Sequence, residues 1–343
     1  MKFDLVPIKL PTGVAYWLAP QQSAVVSWNQ MSEREYFEAC LTHLLRDERV
    51  ASEYSFLLAS DLNDPSYLWQ FRKFPPQRYV PADDIEPVGI DPNRKPILFY
   101  MSRESAVPVS SKTSARFHTV FQTLLTTPKA NERVFPLQLG AFNGCWHRER
   151  PTEQVRDVEL LFAGVLTPAR TRVLARVSDR MNWRTIFYHF VSLSPSTRLL
   201  RTLVGIVSPP PFAKGLRGQT FVTSRWSDGV SPALYKAQMR NARVVLCLQG
   251  NIGVETYRHY EAASAGCVVV TQRMPDTCVF RGNPFIEIDD ISEWLPALLA
   301  LANEGNEALI QRGQAARQFW EDRLSPGAAA DYIRRQLSNP TAL

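Results

Sequence analysis

Apolar positions along the chain come in two rhythms. Short continuous runs alternate with longer stretches in which apolar residues recur every three or four positions, and this is the pattern of strand–helix–strand units around parallel sheets. In the first half, Val25–Trp28, Tyr54–Ala59 and Ile97–Met101 read as strands, and a further apolar run stands at Val134–Leu137. Glu33–Arg46 reads as a helix with Phe37, Leu41, Leu44 and Leu45 on one face, and Phe117–Leu125 gives a second helical stripe. In the second half the strands are Val158–Gly164, Arg243–Leu248, Cys267–Thr271 and Phe285–Ile288, with a helix near Arg170–Met181.

Three helical stretches close the chain: Trp294–Ala302, opened by Asp290 and Glu293 in the spacing of a capping box, then about 307–322 and 328–337. The loop-like segment Asn143–Asp157 separates the two strand-rich halves. The expected organisation is therefore two parallel-sheet α/β domains, 1–150 and 151–343. No fixed-period repeat and no low-complexity tract interrupts them, which excludes solenoids and propellers.

Length agrees, since 343 residues are about twice a common domain. The 45% apolar and 21% charged residues are those of an ordinary globular protein. Thirty-nine Lys and Arg against 33 Asp and Glu give a net charge of +6, which suits phosphate-bearing partners. The basic residues are scattered rather than striped, so no nucleic-acid footprint is expected. Five cysteines, an odd number without CxxC or Cys/His ligand spacing, read as reduced and mostly buried thiols. The start of the chain has no secretory leader pattern, and no apolar run is long enough to span a bilayer. A cytoplasmic location is expected, with peripheral contact at an anionic membrane if the acceptor is lipid-linked.

One segment carries chemistry. After the strand ending at Leu248 comes Gln249-Gly250-Asn251-Ile252-Gly253, and then a helix beginning near Val254 or Glu255. Free N–H groups and the dipole at such a helix start favour an anion such as phosphate. Arg258 and Glu261 are three apart and share a helical face. Two readings stand side by side: a surface ion pair, or an arginine for phosphate oxygens with a carboxylate for ribose hydroxyls. The glycine spacing matches neither the Rossmann nor the Walker fingerprint.

These residues carry a resemblance. Tyr235 leading a helix, the strand Ala242–Leu248, Gly250, and then Arg258-x-x-Glu261-Ala262-x-x-x-Gly266-Cys267 before an apolar strand are similar to the C-terminal domain of the exostosin-like glycosyltransferases. "VELLFAG" from 158, with Arg170 and Arg172 beyond it, resembles that domain's first strand and loop. The resemblance spans about residues 158–335. It implies the GT-B fold: two facing Rossmann-like domains, closing helices that cross back to the first, the donor held by the second domain and the acceptor by the first. It further implies transfer of a sugar from a nucleotide-sugar donor to a glycan or lipid-linked saccharide. Arg258 is then expected at the donor phosphates, Glu261 at the ribose, and Gly250, Asn251 and Gly253 at the phosphate or sugar.

No cofactor is expected. The Asp-x-Asp triplet of metal-dependent transferases is absent, so Arg258 with Arg170 or Arg172 would neutralise the leaving diphosphate. Many retaining relatives carry a second glutamate eight residues before the ribose glutamate. Here that position is Gly253, which favours inversion. Candidates for the catalytic base are Glu104, Asp61, Asp64 and His118, beside their ordinary readings as loop, turn and core residues. Trp226 is a candidate sugar-stacking residue, and His259 reads as structural. Alternatives are a CMP-activated acidic sugar or retaining chemistry in the same architecture, or a non-catalytic protein that binds nucleotide sugar or nucleic acid.

Overall fold

The structure, a computed structural model, describes residues 14–18, 34–61, 85–87, 91–102, 109–127, 129, 132–141, 144–147, 149, 156–165, 167–179, 212–223, 232–250 and 253–338. The strand expected at Val25–Trp28 lies outside them, as do Asp64, Glu104, Trp226 and Asn251.

Residue contacts divide the chain into two units. The first comprises Met1–Gly144, Pro275–Gly282 and Glu321–Leu343; the second comprises Cys145–Met274 and Asn283–Trp320. Each contains a five-stranded, wholly parallel sheet.

The first sheet has the sequential order β1 (Val14–Leu18), β2 (Tyr54–Asp61), β3 (Lys95–Ser102), β4 (Thr119–Thr123) and β5 (Val134–Leu137). Its helices are α1 (Arg34–Leu44), α2 (Glu48–Glu53) and α3 (Ser111–Ser114). Four phenylalanines, one from each of β2 to β5, form a row across one face: Phe56, Phe99, Phe121 and Phe135, with successive ring centroids 5.5, 5.7 and 6.0 Å apart. Leu57, Leu98, Val120 and Val134 pack on the other face with Ile85, Val109 and Phe117. Burial on both faces explains why Phe117–Leu125 is not the helix its stripe suggests. All five residues of β4 are buried, and such a strand has no polar alternation to distinguish it from a buried helix.

The second sheet runs in the order β10 (Ile286–Ile288), β9 (Val268–Gln272), β8 (Ala242–Cys247), β6 (Val158–Val165), β7 (Gly218–Thr223). Its helices are α4 (Pro168–Val177), α5 (Pro232–Asn241), α6 (Tyr257–Ser264), α7 (Trp294–Asn303) and α8 (Asn306–Phe319). On one face Leu160, Phe162, Val244, Leu246, Val268 and Val270 bury against Val173, Leu174 and Val177 of α4 and Trp294, Leu298 and Leu301 of α7. The alternation along each strand sends the intervening residues to the opposite face, where α6 and α8 lie. Arg156 closes this unit between sheet and helix, donating to the carbonyl oxygens of Ala242 at 2.5 Å and Ala265 at 2.7 Å.

The expected capping box at Asp290 and Glu293 does not form. Glu293 makes no side-chain cap, and the Asp290 carboxylate instead accepts from the backbone and hydroxyl of Ser292. After α8 a π-helical turn, Trp320–Leu324, carries the chain back to the first unit, where the last helix, α9 (Pro326–Ser338), packs on α1. There the Tyr36 hydroxyl donates to the Leu324 carbonyl at 2.5 Å, Arg334 donates to the His43 carbonyl, and Tyr332 meets the Phe121 ring edge-on.

Candidate functional site

The strand order of the second sheet contains a reversal. From β6 the chain moves outward to β7 and then returns to the other side of β6 as β8. In open parallel sheets the loops leaving two such strands diverge at their carboxyl ends, leaving a crevice suited to a ligand. The loop after β6 leads into α4 and the loop after β8 leads into α6, so residues about ninety positions apart in sequence meet there.

Two arginines do so. Arg170, in the first turn of α4, is 7% exposed and bends to the end of β8, donating from Nε to the Gln249 carbonyl at 2.9 Å and from Nη2 toward that of Leu248. Thr167 caps the start of this helix, its hydroxyl oxygen accepting from the Arg170 N–H, and Pro168 supplies a pre-set first helical residue. Arg258, in the first turn of α6, reaches the opposite way, donating from Nε to the Ala163 carbonyl at the end of β6. Its guanidinium lies over the Phe162 ring, 5.5 Å from the centroid. Arg258 Nη1 is buried and has no hydrogen-bond partner among the described residues. Burial first, and then the neighbouring Arg258 charge, hold Arg170 well below the ordinary guanidinium range. Two cations that disfavour one another in a half-buried crevice, one with an unused donor, form a receptor for an anion.

The space for Arg258 comes from Gly164. A β-carbon there would collide with the guanidinium, so only glycine lets the β6 backbone pass beneath it.

Glu261 lies one turn further along α6 and is 1% exposed. It is not half of a surface pair with Arg258: its Oε2 accepts from the Tyr235 hydroxyl of α5 at 2.7 Å. Burial, followed by the Glu261 charge, pushes the Tyr235 phenol well above its ordinary range, which keeps it protonated and donating. Arg258 acts on this phenol and the phenol on Arg170, so Tyr235 belongs to the same cluster.

His259 is fully buried and secures the start of the helix. The Thr256 backbone N–H donates to Nδ1 at 3.1 Å, so the proton sits on Nε2, which donates to the Thr271 hydroxyl at 2.8 Å. That hydroxyl donates in turn to the Cys247 carbonyl at 3.0 Å. The chain of bonds ties the helix start to β9 and to the end of β8. Burial pulls the imidazole down to about 3, so it stays neutral. The helix thus opens at Tyr257 with Thr256 as cap, two residues later than the spacing suggests, and ends at Gly266 in the left-handed conformation, φ 66°.

Other expected residues are placed as follows. Gly250 donates from its N–H to the Gly253 carbonyl at 2.8 Å, closing a tight loop, and Gly253 has open space around its α-carbon. Arg172 is exposed on the outer side of α4, away from Arg170. Asp61 ends β2 at the carboxyl edge of the first sheet, in register with Ser102, which ends β3 two residues before Glu104. His118 sits at the opposite, amino edge of that sheet, where its N–H donates to the Pro96 carbonyl. Six β3 residues separate the two levels, about 20 Å at the usual strand rise. There Nε2 accepts from Arg133 at 3.0 Å, and burial, then Arg133, draw the imidazole down to about 4. The structure therefore does not bring His118 together with Asp61. The two site residues missed by spacing arguments are Gly164 and Tyr235.

Among the described residues no group of three or more His, Cys, Asp or Glu side chains is arranged to hold a metal ion. No helix among them is long and apolar enough to cross a membrane. All five cysteines are free thiols, four of them buried.

No protein-family model matches the chain, and no curated protein sequence does. Solved structures with a similar course of chain include AviGT4, a glycosyltransferase involved in avilamycin A biosynthesis, with a TM-score of 0.47 and 14% identity over 96% of this chain and 99% of that one. TarM follows with a TM-score of 0.44 and 9% identity over 89% of this chain and 58% of its own. A Staphylococcus aureus TarM mutant, crystallised with fondaparinux, alpha-GlcNAc-glycerol and UDP, gives 0.42 and 9% over 88% and 59%.

Proposed function

We propose that the protein is a glycosyltransferase of GT-B architecture that moves a sugar from a nucleotide-sugar donor to a glycan or lipid-linked saccharide. The observation that carries this reading is the meeting of Arg170 and Arg258 at the strand-order reversal, with Arg258 Nη1 buried and without a hydrogen-bond partner among the described residues. The motif resemblance supports it, because Arg258 and Glu261, which it singles out, stand with Tyr235 and Arg170 in one cluster. Arg258, Arg170 and the opening N–H groups of α6 hold the diphosphate, and Glu261 accepts hydrogen bonds from the ribose.

In the reaction a base takes the proton of the acceptor hydroxyl as its oxygen bonds to the anomeric carbon. The bond from that carbon to the phosphate oxygen breaks, and the electron pair leaves with the nucleoside diphosphate, whose charge the two arginines stabilise. No divalent ion is required in this scheme. Attack opposite the leaving group inverts the anomeric centre, consistent with glycine rather than glutamate at position 253. Asp61 and Glu104, at and just past the carboxyl ends of adjacent strands, are the proposed bases.

The test is a thermal-shift screen against UDP-, GDP-, CMP- and dTDP-linked sugars, followed by transfer assays on wild type, Arg258→Ala and Glu261→Gln. A ligand at about 100 times its Kd stabilises the fold by about 2.7 kcal/mol, a readily measured shift. Wild type is expected to respond to at least one nucleotide sugar and to transfer its sugar, and both variants to lose the response while remaining folded. No response by wild type, or unchanged activity in both variants, overturns the reading.

A further inference from the structure

The end of β8 gives its backbone groups to partners on two sides. A trans peptide is a rigid plane whose N–H and C=O point in opposite directions. In the plane joining Leu248 to Gln249, the N–H donates to the Gln272 side-chain oxygen at 3.0 Å, and the carbonyl faces Arg170 Nη2 at 3.5 Å. In the plane joining Gln249 to Gly250, the N–H donates to the Gly253 carbonyl at 2.8 Å, and the carbonyl accepts from Arg170 Nε at 2.9 Å. Two successive planes are thus each held by the N–H and offer the carbonyl to one guanidinium. Because a carbonyl accepts best near its own plane, the tilt of these planes decides where the Arg170 guanidinium rests. Gln272 is the last residue of β9, and its neighbour Thr271 donates from its hydroxyl to the Cys247 carbonyl at 3.0 Å. The two side chains that end β9 therefore continue the ladder past its last backbone pair, Cys247 with Thr271.

We infer that Gln272 is a positioning residue for anion binding: by fixing the peptide between Leu248 and Gln249 it sets the guanidinium of Arg170 in the crevice, and the loop after β8 serves as a brace for that cation rather than as a cradle of N–H groups around the phosphate. This inference rests on the proposed role of Arg170 at the donor. A glycine loop that carries phosphate on its own N–H groups leaves them open to the ligand. Here those of Gln249 and Gly250 are already taken by Gln272 and Gly253. Holding the anion passes to side chains, and the seat of Arg170 decides the affinity. Removing the acceptor at 272 leaves the Gln249 N–H without its partner, and the plane turns to find another, carrying the Leu248 carbonyl away from Arg170. Gln272 acts through the backbone and Arg170, without touching the ligand.

The experiment is isothermal titration of the full-length protein with UDP, GDP, CDP and dTDP. The tightest binder is then carried through wild type, Gln272→Met, Arg170→Ala, Arg258→Ala and the double variants that add Gln272→Met to each arginine change. Methionine keeps the length of the side chain and removes the amide oxygen. Gln272→Met should weaken the nucleotide about 10-fold, the order expected when a buried donor loses its partner. The same loss of about 10-fold is expected on top of Arg258→Ala, whose native side chain is held by the Ala163 carbonyl instead, and less than about twofold on top of Arg170→Ala, since coupled positions do not add. A merely structural loss weakens all three backgrounds alike. Undiminished affinity in Gln272→Met, or an equal loss in the Arg170→Ala background, overturns the inference while leaving the donor reading intact. Absence of any nucleotide binding by wild type overturns the donor reading itself. Hydrogen exchange of the wild-type protein needs no variant: the Gln249 and Gly250 amides are expected to be protected without nucleotide and unchanged by it. Protection that appears only with nucleotide overturns the inference even if Gln272→Met fails to fold.

Discussion

Gly164→Ala tests the site by geometry rather than by deleting a charged group. The new methyl would occupy the volume of the Arg258 guanidinium, which must swing off the Phe162 ring and give up its bond to the Ala163 carbonyl. A hydrogen bond to a charged donor is worth about 1.5–3 kcal/mol, and an exposed cation–π contact about 0.5–1 kcal/mol. Because the arginine is flexible at its far end, the fold gives way there and keeps its core. Stability should fall by about 1–3 kcal/mol, a drop of several degrees in Tm for a unit of this size. Nucleotide affinity should fall further, by about 10- to 100-fold, because the displaced guanidinium no longer sits with Arg170 at the ends of β6 and β8. Titration of the preferred nucleotide with wild type, Gly164→Ala and the double variant Gly164→Ala/Arg258→Ala measures this. If the effect runs through Arg258, adding Arg258→Ala to Gly164→Ala costs little more, since coupled positions do not add. Wild-type affinity in Gly164→Ala, or full additivity in the double variant, refutes the argument.

Two further outcomes are expected. Arg170→Ala, which removes a buried cation from the end of β8, should weaken nucleotide binding at least about 30-fold, whereas Arg172→Ala, exposed two positions away, should stay within about twofold; equal effects in a titration would refute the assignment. His259 is held neutral by burial, with its affinity for a proton lowered from an ordinary 6.5 to about 3. The unfolded state therefore binds the proton first as pH falls, and the stability contributed above 6.5 is lost progressively down to about 3. Urea midpoints at pH 7 and 5 should fall less in His259→Asn than in wild type, and an identical fall in both would show that another group carries the dependence.

Much of the second sheet was legible because its strands announce themselves. Val244–Leu248 and Cys267–Val270 are unbroken apolar runs, the first closely followed by Gly250 and the second preceded by Gly266, and the Arg258–Glu261 face follows from helical spacing alone. The strand β7 went unread because most of Gly218–Thr223 is polar or glycine, and its pairing with β6 rather than its composition makes it a strand; β1, Val14–Leu18, is an apolar run that was simply not picked out. The aromatic row of the first sheet hid β4, because Phe117, Val120, Phe121 and Leu125 satisfy a helical stripe as well as a two-faced strand. Within the site, Gly164 and Tyr235 stand in the segments that carry the resemblance, but spacing and charge give neither of them a role. Each matters only for what the topology sets against it from far along the chain, and neither spacing nor charge reports a strand-order reversal.

The return of the chain through Trp320–Leu324 has a consequence for biosynthesis. Helix α9 covers α1 and completes the first unit, through Tyr36, Tyr332 and Arg334, although it is translated only after the whole second unit. The amino-terminal sheet thus waits, one flank uncovered, while the whole second unit is translated, and a nascent chain cut short after residue 320 would expose that flank to chaperones and proteases.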